Sequence, residues 1–326
     1  MRSFIRHFSP LIYYIPTTPL TLNEMKKFLF LLFTAVITAS AQPLYVGSYN
    51  IRYQNDGDAK AGNGWEQRCP VVCAQLNFEH PDIFGTQEVL KPQLDDMQRL
   101  LPDYRYIGVG REDGIHEGEH EAIFYDKNKM KLMEHGDFWL SETPEKPGKG
   151  WDAACTRICT WGKFKDRETK LKFYFFNLHM DHVGIVARRE AAKLMVKKIQ
   201  EIAGKAPVVL TGDFNVDQNN EIYTTFTHSG ILKDSYVHAL YRFAENGTYN
   251  AYDPELKTES RIDHIFVSPR FDVERYGILT NGYWIRSHES SEKLKGKDAP
   301  QEIDFSKYEK RLPSDHYPVF CRLKLK

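Results

Sequence analysis

Acids, amides and imidazoles recur in this sequence at the points where apolar, β-prone runs begin or end. Asn50 follows the run Leu44–Tyr49, and Glu88 follows the run Ile83–Gln87. The same kind of position is held further along the chain by His179, Asp181-His182, Asp213, Asn215, Asp263-His264 and Asp315-His316. Because strand ends on one rim of a sheet hold side chains rigidly toward a ligand, these residues are candidates for one active site.

Oxygen ligands dominate this set, and their charges determine the chemistry that we expect. Carboxylates that converge without an intervening lysine repel one another unless a cation joins them. A hard ion such as Mg²⁺ or Mn²⁺ suits such ligands, and it would polarise a phosphoryl oxygen during hydrolysis. An imidazole beside a buried acid could position and deprotonate a water. A single Asp or His could instead be a turn residue, but six such segments in one chain favour a site.

Six short motifs, in this order, resemble those of the endonuclease/exonuclease/phosphatase superfamily, which includes exonuclease III, DNase I, sphingomyelinases and deadenylases. They are Ser48-Tyr49-Asn50-Ile51-Arg52, Gln87-Glu88, Asn177-Leu178-His179, Gly212-Asp213-Phe214-Asn215, Arg261-Ile262-Asp263 and Ser314-Asp315-His316. The resemblance covers residues 43–326 and extends to an exported bacterial subgroup. It implies an α/β (α+β) fold, a four-layer α/β/β/α sandwich in which two mixed β-sheets pack face to face.

By this resemblance, Glu88 is expected to be the principal ligand of the divalent metal, assisted by Asn50 and Asp315. Asp263 and His316 would form the acid–imidazole pair that orients or activates the attacking water. The cofactor that the family pattern implies is Mg²⁺, or Mn²⁺ in its place.

Three further residues would act on the phosphate ester itself. By the same resemblance, His179 would contact the scissile phosphate and stabilise its developing charge. Asp213 and Asn215 would lie beside the attacking or leaving oxygen, and Asp213 could also bind a second metal. The implied reaction is in-line attack of a metal-assisted water on a phosphate mono- or diester.

The loops that should surround this site carry aromatic and basic residues. Candidates for stacking on a sugar or base, or for clasping a second phosphate, are Arg111, Arg157, Trp151, His182 and Tyr249. Trp and Tyr also occur commonly in cores and in loop packing. These five residues are therefore expectations for substrate binding only.

One motif points to a different activity. His116-Glu117-Gly118-Glu119-His120 matches the HExxH signature of zinc proteases, which requires a helix so that both histidines share one face. Gly114 and Gly118 weaken helix formation here, and the strand-like run Ala122–Tyr125 follows almost at once. The segment is therefore predicted to be a polar loop at the rim of the site.

Short β-like runs alternate with helical segments and must hold these residues in place. Strands are predicted over residues 44–51, 83–87, 104–109, 122–125, 158–164, 172–178, 208–211, 262–267 and 317–325. Helices are predicted over 67–78, 92–100 and 187–203, and the last has one apolar stripe that should pack on a core. Surface loops are predicted where periodicity is weak, over 53–66, 110–120, 141–156 and 281–313.

Residues 25–41 contain the three parts typical of a secretory signal peptide: Lys26-Lys27, the apolar run Phe28–Ile37 and Ala39-Ser40-Ala41. The apolar run is too short to cross a bilayer as a helix, so we expect no stable membrane insertion. The expected location is outside the cell or in the periplasm. Residues 1–24 are interpreted as a mis-annotated upstream segment.

Residues 42–326 are predicted to form one catalytic domain, because no repeat or low-complexity linker divides them. Loss of residues 1–41 removes four basic residues and one acidic residue from 44 of each, which leaves a formal net charge of −3. Proteins that bind long nucleic acids are usually basic, so this balance disfavours a processive nuclease. Five cysteines, two pairs of them spaced CxxxC, permit disulfides without requiring them: Cys69, Cys73, Cys155, Cys159 and Cys321.

The favoured function is that of an exported phosphoesterase, acting as a monomer on sugar phosphates, phospholipid head groups or nucleotides. A Mg²⁺-dependent nuclease acting on DNA or RNA is the alternative, because the superfamily motifs do not separate the two. A third interpretation is a binding module that keeps the fold without catalysis. It is disfavoured because every expected catalytic residue type is present.

Overall fold

The computed structural model of the chain describes residues 43–326 except 244, 287–293, 297 and 299. The signal peptide and upstream segment expected over residues 1–41 therefore lie outside the described residues. The strands are β1 (Leu44–Asn50), β2 (Ile83–Gln87), β3 (Tyr104–Ile107), β4 (Ile123–Asp126), β5 (Met130–Trp139), β6 (Ile158–Asp166), β7 (Lys172–His179), β8 (Val208–Asp213), β9 (Lys233–Asp234), β10 (Ala239–Phe243), β11 (Asp263–Val267), β12 (Phe271–Ile278), β13 (Tyr283–Arg286), β14 (Leu294–Lys295), β15 (Asp304–Phe305), β16 (Tyr308–Arg311) and β17 (Val319–Leu325). The helices are α1 (Asp56–Lys60), α2 (Trp65–Glu79), α3 (Lys91–Leu100), α4 (Ile185–Ala203), α5 (Glu221–Thr227) and α6 (Ser235–His238).

Two mixed β-sheets form the centre of the structure. The first is ordered β10-β12-β17-β1-β2-β4-β3, with β1 parallel to β2 and antiparallel to β17. The second is ordered β5-β6-β7-β8-β11-β9, with β7 parallel to β8 and β8 antiparallel to β11. In each sheet the carboxyl ends of the parallel strands therefore meet the amino ends of their antiparallel neighbours at one rim.

The central strands are buried on both faces, because each sheet packs on the other sheet and on helices. Val46 of the first sheet and Phe175 of the second belong to the apolar cluster between the sheets. Leu76 of α2 lies in a second cluster with the outer face of the first sheet, and Met195 of α4 lies in a third with the outer face of the second sheet. Each such side chain contributes roughly 1.5–3 kcal/mol through burial. The predicted four-layer α/β/β/α sandwich is confirmed.

A buried polar link joins the two sheets below the rim. Asn177 on β7 donates through Nδ2 to the carbonyl oxygen of Thr86 on β2 at 2.8 Å. Its Oδ1 accepts a hydrogen bond from Nε2 of Gln87 at 2.6 Å. Gly85 permits this approach, because a Cβ at that position would clash with the Asn177 side chain. Since buried polar groups are costly unless paired, this link fixes the ends of β2 and β7 relative to each other.

Several strands were not predicted from the sequence, and the omissions have local causes. β5 is largely exposed in its middle, so it lacks the alternation of apolar and polar residues that marks a half-buried strand. β12 contains an irregularity between Val273 and Arg275, which shifts its alternation by one residue. The segments 53–66 and 281–313, which were predicted to be loops, contain α1 and the strands β13 to β16. These predictions were wrong because short, solvent-facing elements bury too little apolar surface to leave a pattern.

The sequence left the pairing of the cysteines open. All five are free thiols in the structure, and four of them are buried. None of the described helices is both long enough and apolar enough to cross a membrane.

Candidate active site

The expected site residues meet at the common rim of the two sheets, around one cleft of about 610 Å³. Asn50 ends β1, His179 ends β7 and Asp213 ends β8, while Asp263 begins β11. The other members of the set come from the turn after β2, the turn after β8 and the segment before β17: Glu88, Asn215, Asp315 and His316. The structure thus brings together all eight residues expected to bind metal or act in catalysis.

Asn50 is fully buried, and its amide connects acids from both sheets. Nδ2 donates to Oε1 of Glu88 at 2.9 Å and to Oδ2 of Asp213 at 3.0 Å. Its Oδ1 accepts the backbone N–H of Arg52 at 3.0 Å. Because the amide nitrogen faces the carboxylates, Asn50 links the acids here, and its oxygen would have to turn toward a cation to become a ligand.

Glu88, Asp213 and His316 converge in a way that suits a metal ion. Each offers one ligand atom, and these atoms lie within 4.8 Å of one another. Burial, with the nearby carboxylate of Asp263, raises the pKa of Asp213 to about 7. A cation at this point would favour the ionised acids, and oxygen ligands with one imidazole suit Mg²⁺ or Mn²⁺. The donor set therefore fits a divalent metal.

Arg52 places a fixed positive charge beside the expected metal ligands, a role that the sequence did not predict. Its Nη1 lies 3.8 Å from Oε2 of Glu88 and 3.7 Å from Oδ2 of Asp315. Nε donates to Oδ2 of Asp58 at 2.9 Å, which holds the guanidinium in place. Both Arg52 and Glu88 have a left-handed backbone, with φ of 59° and 63°. Such strain costs about 1–3 kcal/mol per residue and is typical of functional sites that the surrounding structure holds in place.

His316 and Asp263 form the expected acid–imidazole pair. Nδ1 of His316 lies 2.8 Å from Oδ2 of Asp263, and both side chains are buried. Burial opposes a charge on His316, but the carboxylates of Asp263 and Asp213 outweigh this effect and raise its pKa well above the usual range. The contact with Asp263 orients the ring so that Nε2 lies 3.7 Å from Oδ2 of Asp213. Nε2 is thus the atom available for proton transfer at the cleft.

A second buried acid lies near His179 and was missed by sequence reasoning. Nε2 of His179 lies 3.1 Å from Nδ2 of Asn215, and Nδ1 lies 3.9 Å from Oε1 of Glu121. Glu121 is fully buried, and burial raises its pKa to about 8. Burial and the positive charge of Arg157 lower the pKa of His179 well below the usual range, so this imidazole is neutral. Glu121 lies two residues before β4, close to the start of a buried strand as Asp263 is, and that position is the signal that could have revealed it.

Two buried guanidinium groups line the cleft beside His179, as predicted for Arg111 and Arg157. Nη1 of Arg111 lies 2.6 Å from Oε2 of Glu119. Nη2 of Arg157 lies 3.1 Å from Nδ1 of His182, while its Nη1 has no hydrogen-bond partner among the described residues. Arg157 therefore retains donor capacity, and a phosphate oxygen would satisfy it.

The aromatic candidates differ in their positions. Tyr249 lines the cleft, and its ring meets the ring of His316 edge-on at a centroid distance of 5.1 Å. His182 also lines the cleft. Trp151 is not among the described residues that line it, and its side chain packs against the apolar cluster under α4. The sequence suggested a rim position for Trp151 because it lies in a long loop, but loop packing accounts for it better.

The HExxH segment is a loop, as the glycines predicted. His116 is exposed, whereas His120 is buried and its Nδ1 lies 3.1 Å from the carbonyl oxygen of Val89. Only one residue of the motif, Glu119, is among the described residues that line the cleft. The two histidines therefore do not present one helical face to a zinc ion.

The model of the endonuclease/exonuclease/phosphatase family matches residues 47–316. The chain belongs to this family. The matched region contains every candidate catalytic and metal-binding residue. Members of the family are hydrolases that act on phosphoester bonds and depend on a divalent metal, in agreement with the acids and imidazoles at this rim.

Solved structures of other family proteins resemble this one over nearly their whole length. A mannosyl-6-phosphatase of Bacteroides thetaiotaomicron is 50% identical, with a TM-score of 0.79, and the match covers 86% of this chain and 100% of that one. A family protein of Bacteroides vulgatus is 36% identical, with a TM-score of 0.73, over 87% of this chain and 99% of that one. The catalytic domain of human nocturnin, at 18% identity and a TM-score of 0.61 over 87% of this chain and 94% of that one, shares the fold.

Proposed function

We propose that this family member is an exported phosphomonoesterase that uses a divalent metal to hydrolyse the phosphate ester of a phosphorylated sugar. The observation that carries the proposal is the arrangement of the cleft. The metal-binding candidates Glu88 and Asp213 line the same cleft as the guanidinium groups of Arg111 and Arg157. Identity of 50% to a mannosyl-6-phosphatase, over all of that chain, supports a sugar phosphate as the substrate.

The group of Glu88, Asp213 and His316 is suited to prepare the attacking water. Glu88 and Asp213 would hold the metal, which when bound polarises the phosphoryl oxygen and lowers the pKa of water. The positive charge of a bound cation would favour the neutral form of His316. In that form His316 would accept a proton from the water through Nε2 as the water oxygen attacks phosphorus. Asp263 stabilises the resulting imidazolium, because its carboxylate contacts Nδ1 at 2.8 Å. The bond between phosphorus and the sugar oxygen breaks as the new bond forms, and the sugar oxygen takes a proton from solvent water to become a hydroxyl.

The residues around His179 are suited to hold the phosphate. Nδ2 of Asn215 lies 3.1 Å from Nε2 of His179 and donates to it in this arrangement. Once this contact is exchanged, Nδ2 of Asn215 or a protonated Nε2 of His179 could donate to a non-bridging oxygen. Nη1 of Arg157, which has no partner among the described residues, can donate to another. Charge-assisted hydrogen bonds of this kind are strongest where charge grows in the transition state. A phosphomonoester, which carries up to two negative charges, gains more from them than a diester does.

Export is part of the same proposal. It is supported by the order of basic, apolar and small residues over 25–41. N-terminal sequencing of the protein recovered from the periplasm or culture medium tests it. A mature chain that begins at Gln42 is expected, and retention of residues 25–41 on cytoplasmic protein would contradict it.

The test of the activity is a hydrolysis screen of residues 42–326 with Mg²⁺ or Mn²⁺ and with EDTA. The substrates are mannose 6-phosphate, glucose 6-phosphate, a nucleoside monophosphate, a phosphodiester and single- and double-stranded DNA. We expect turnover of a sugar phosphate. EDTA and His316→Ala should each abolish this turnover, and the exposed-residue control His238→Ala should retain it. Turnover of the diester or DNA alone would replace the proposal with a nuclease.

A further inference from the structure

A second cleft, of about 640 Å³, adjoins the catalytic cleft across the segment 249–255. Tyr249, at one end of this segment, lines the catalytic cleft, and Tyr252 and Glu255 line the second cleft. The segment is tied to the residues that precede β17, because the backbone N–H of Asn250 donates to the carbonyl oxygen of Asp315 at 2.7 Å. The wall between the clefts therefore has a fixed position relative to the catalytic residues.

The opposite wall of the second cleft is the ribbon formed by β13 and β16. Trp284 pairs with Lys310, and Arg286 pairs with Tyr308, so the four side chains share one face of the ribbon. Trp284 is 63% exposed and Tyr308 is 50% exposed. Tyr283, which alternates with these residues on β13, is only half-buried and takes the other face. The ribbon thus turns two large aromatic rings toward solvent on one side.

The chemistry around these rings is mixed. Trp284 and Tyr308 line both the second cleft and a more open depression of about 710 Å³, so both can be reached from two sides. Acids and bases alternate around them, with Asp253, Glu255 and Glu309 beside Lys310 and Arg311. A single exposed aromatic residue needs no explanation, but aromatic rings grouped with polar residues mark binding surfaces.

We propose that the second cleft binds neutral sugar residues of an oligosaccharide whose phosphorylated residue occupies the catalytic cleft. This inference rests on the proposed sugar-phosphatase function and specifies its substrate as a phosphorylated glycan rather than a free sugar phosphate. Aromatic rings stack on the apolar C–H faces of sugars, and alternating acids and bases such as Glu255 and Lys310 hydrogen-bond to hydroxyl groups. The acidic and basic side chains around this cleft nearly balance, so they give no strong positive potential that would hold a polyanion such as DNA. Because the segment 249–255 borders both clefts, one oligosaccharide that passes over it would reach both.

Binding can be tested separately from catalysis with unphosphorylated hexasaccharides of mannose, glucose and xylose. Isothermal titration of residues 42–326 is expected to show binding of at least one of them, weakened at least tenfold by Trp284→Ala and by Tyr308→Ala. Tyr241→Ala removes an equally exposed ring from the edge strand β10 and serves as the matched control, with binding unchanged. His316→Ala should also bind as the wild type does. If no hexasaccharide binds, or if Trp284→Ala and Tyr308→Ala bind like the wild type, the inference is wrong.

Kinetics separate this inference from the proposed function. Trp284→Ala is expected to raise KM at least tenfold for a phosphorylated mannan oligosaccharide, with kcat unchanged and with kcat/KM for mannose 6-phosphate unchanged. Equal losses of kcat/KM on both substrates in Trp284→Ala would overturn the inference while leaving the sugar-phosphatase activity established. Absence of activity on both substrates would overturn the proposed function, and the titration with hexasaccharides would still decide whether the cleft binds sugar. A wild-type dimer that Trp284→Ala dissociates in sedimentation would show that the rings pack against a second copy instead.

Discussion

Oε1 of Glu121 lies 3.9 Å from Nδ1 of His179, and neither of these atoms has a hydrogen-bond partner among the described residues. The separation exceeds hydrogen-bond range, so the two groups face each other without a bond. Burial raises the pKa of Glu121 to about 8 and, together with Arg157, lowers the pKa of His179. Both groups are therefore neutral near pH 7, and the site contains a carboxyl group that ionises only in alkaline solution.

The ionisation of this buried acid should make the stability of the protein depend on pH. The pKa of Glu121 rises from an ordinary 4.5 to about 8 on folding, so between these values the folded state binds the proton that the unfolded state has lost. Stability is therefore expected to fall as pH rises through this window, by up to about 1.4 kcal/mol per pH unit from this group. Glu121→Gln removes that contribution, so urea unfolding in EDTA at pH 5 to 8 should show a flatter pH dependence. The exposed Glu117→Gln should keep the slope of the wild type, and equal slopes in all three proteins would contradict the shift.

Asp263 should control the protonation of His316. The carboxylates of Asp263 and Asp213 raise the pKa of His316 against the effect of burial, and Asp263 is also in contact with Nδ1. Asp263→Asn keeps the size of the side chain but removes its charge, so the pKa of His316 is expected to fall. We expect kcat to drop by roughly 100-fold or more, because the imidazolium formed during proton transfer loses its partner. Titration of the ring by NMR and steady-state kinetics measure the two effects, with the exposed Asp95→Asn as control. An unchanged His316 titration would contradict this role.

Arg68 should stabilise the loops that carry the site. It is fully buried in α2 and donates through Nη1 to the carbonyl oxygens of Ile51 at 2.7 Å and Pro313 at 3.0 Å, and through Nη2 to that of Arg52 at 3.2 Å. Arg68→Leu leaves these acceptors unpaired, so the free energy of unfolding is expected to fall by roughly 2–5 kcal/mol. Arg68→Lys should lose less of the free energy of unfolding than Arg68→Leu but should not match the wild type, because one ammonium cannot reproduce the planar set of guanidinium donors. Urea unfolding measures both, and the exposed Arg99→Leu should stay within about 0.5 kcal/mol of the wild type.

Much of the site could be predicted because it follows strand ends. Asn50, His179 and Asp213 each close a buried run of apolar residues, and the geometry of parallel and antiparallel pairing brings such ends to one rim. Glu121 lies two residues before β4, but it directly follows the HExxH match, which drew attention to this stretch for another reason. Arg52 lies within a recognised motif, yet its position between Glu88 and Asp315 depends on a left-handed backbone that no local pattern reveals.

The parts that sequence reasoning missed share a physical property. β13 and β16 expose their side chains, so the ribbon of Trp284 and Tyr308 has no alternation of buried and exposed positions strong enough to predict. Trp151 was predicted to bind substrate from its residue type and loop position, whereas its side chain packs on the apolar cluster beneath α4. Residue type gives the chemistry that a side chain can perform, but only tertiary packing decides which surface it faces.

The role of Glu88 as principal metal ligand is the prediction on which the mechanism depends most. Its Oε1 accepts from Nδ2 of Asn50 at 2.9 Å and its Oε2 from the backbone N–H of Tyr53 at 3.3 Å, so the side chain is held in place without a metal. Glu88→Gln keeps the shape but loses the charge that binds the cation. Mg²⁺ is expected to raise the Tm of the wild type by mass action and to leave that of Glu88→Gln unchanged. Hydrolysis should fall by roughly 100-fold or more, as for removal of a group that activates the nucleophile. The exposed Glu66→Gln should keep both the thermal shift and the activity. If Glu88→Gln still responds to Mg²⁺ like the wild type, then Asp213 and Asp315 hold the ion without it, and the ligand set must be centred on Asp213.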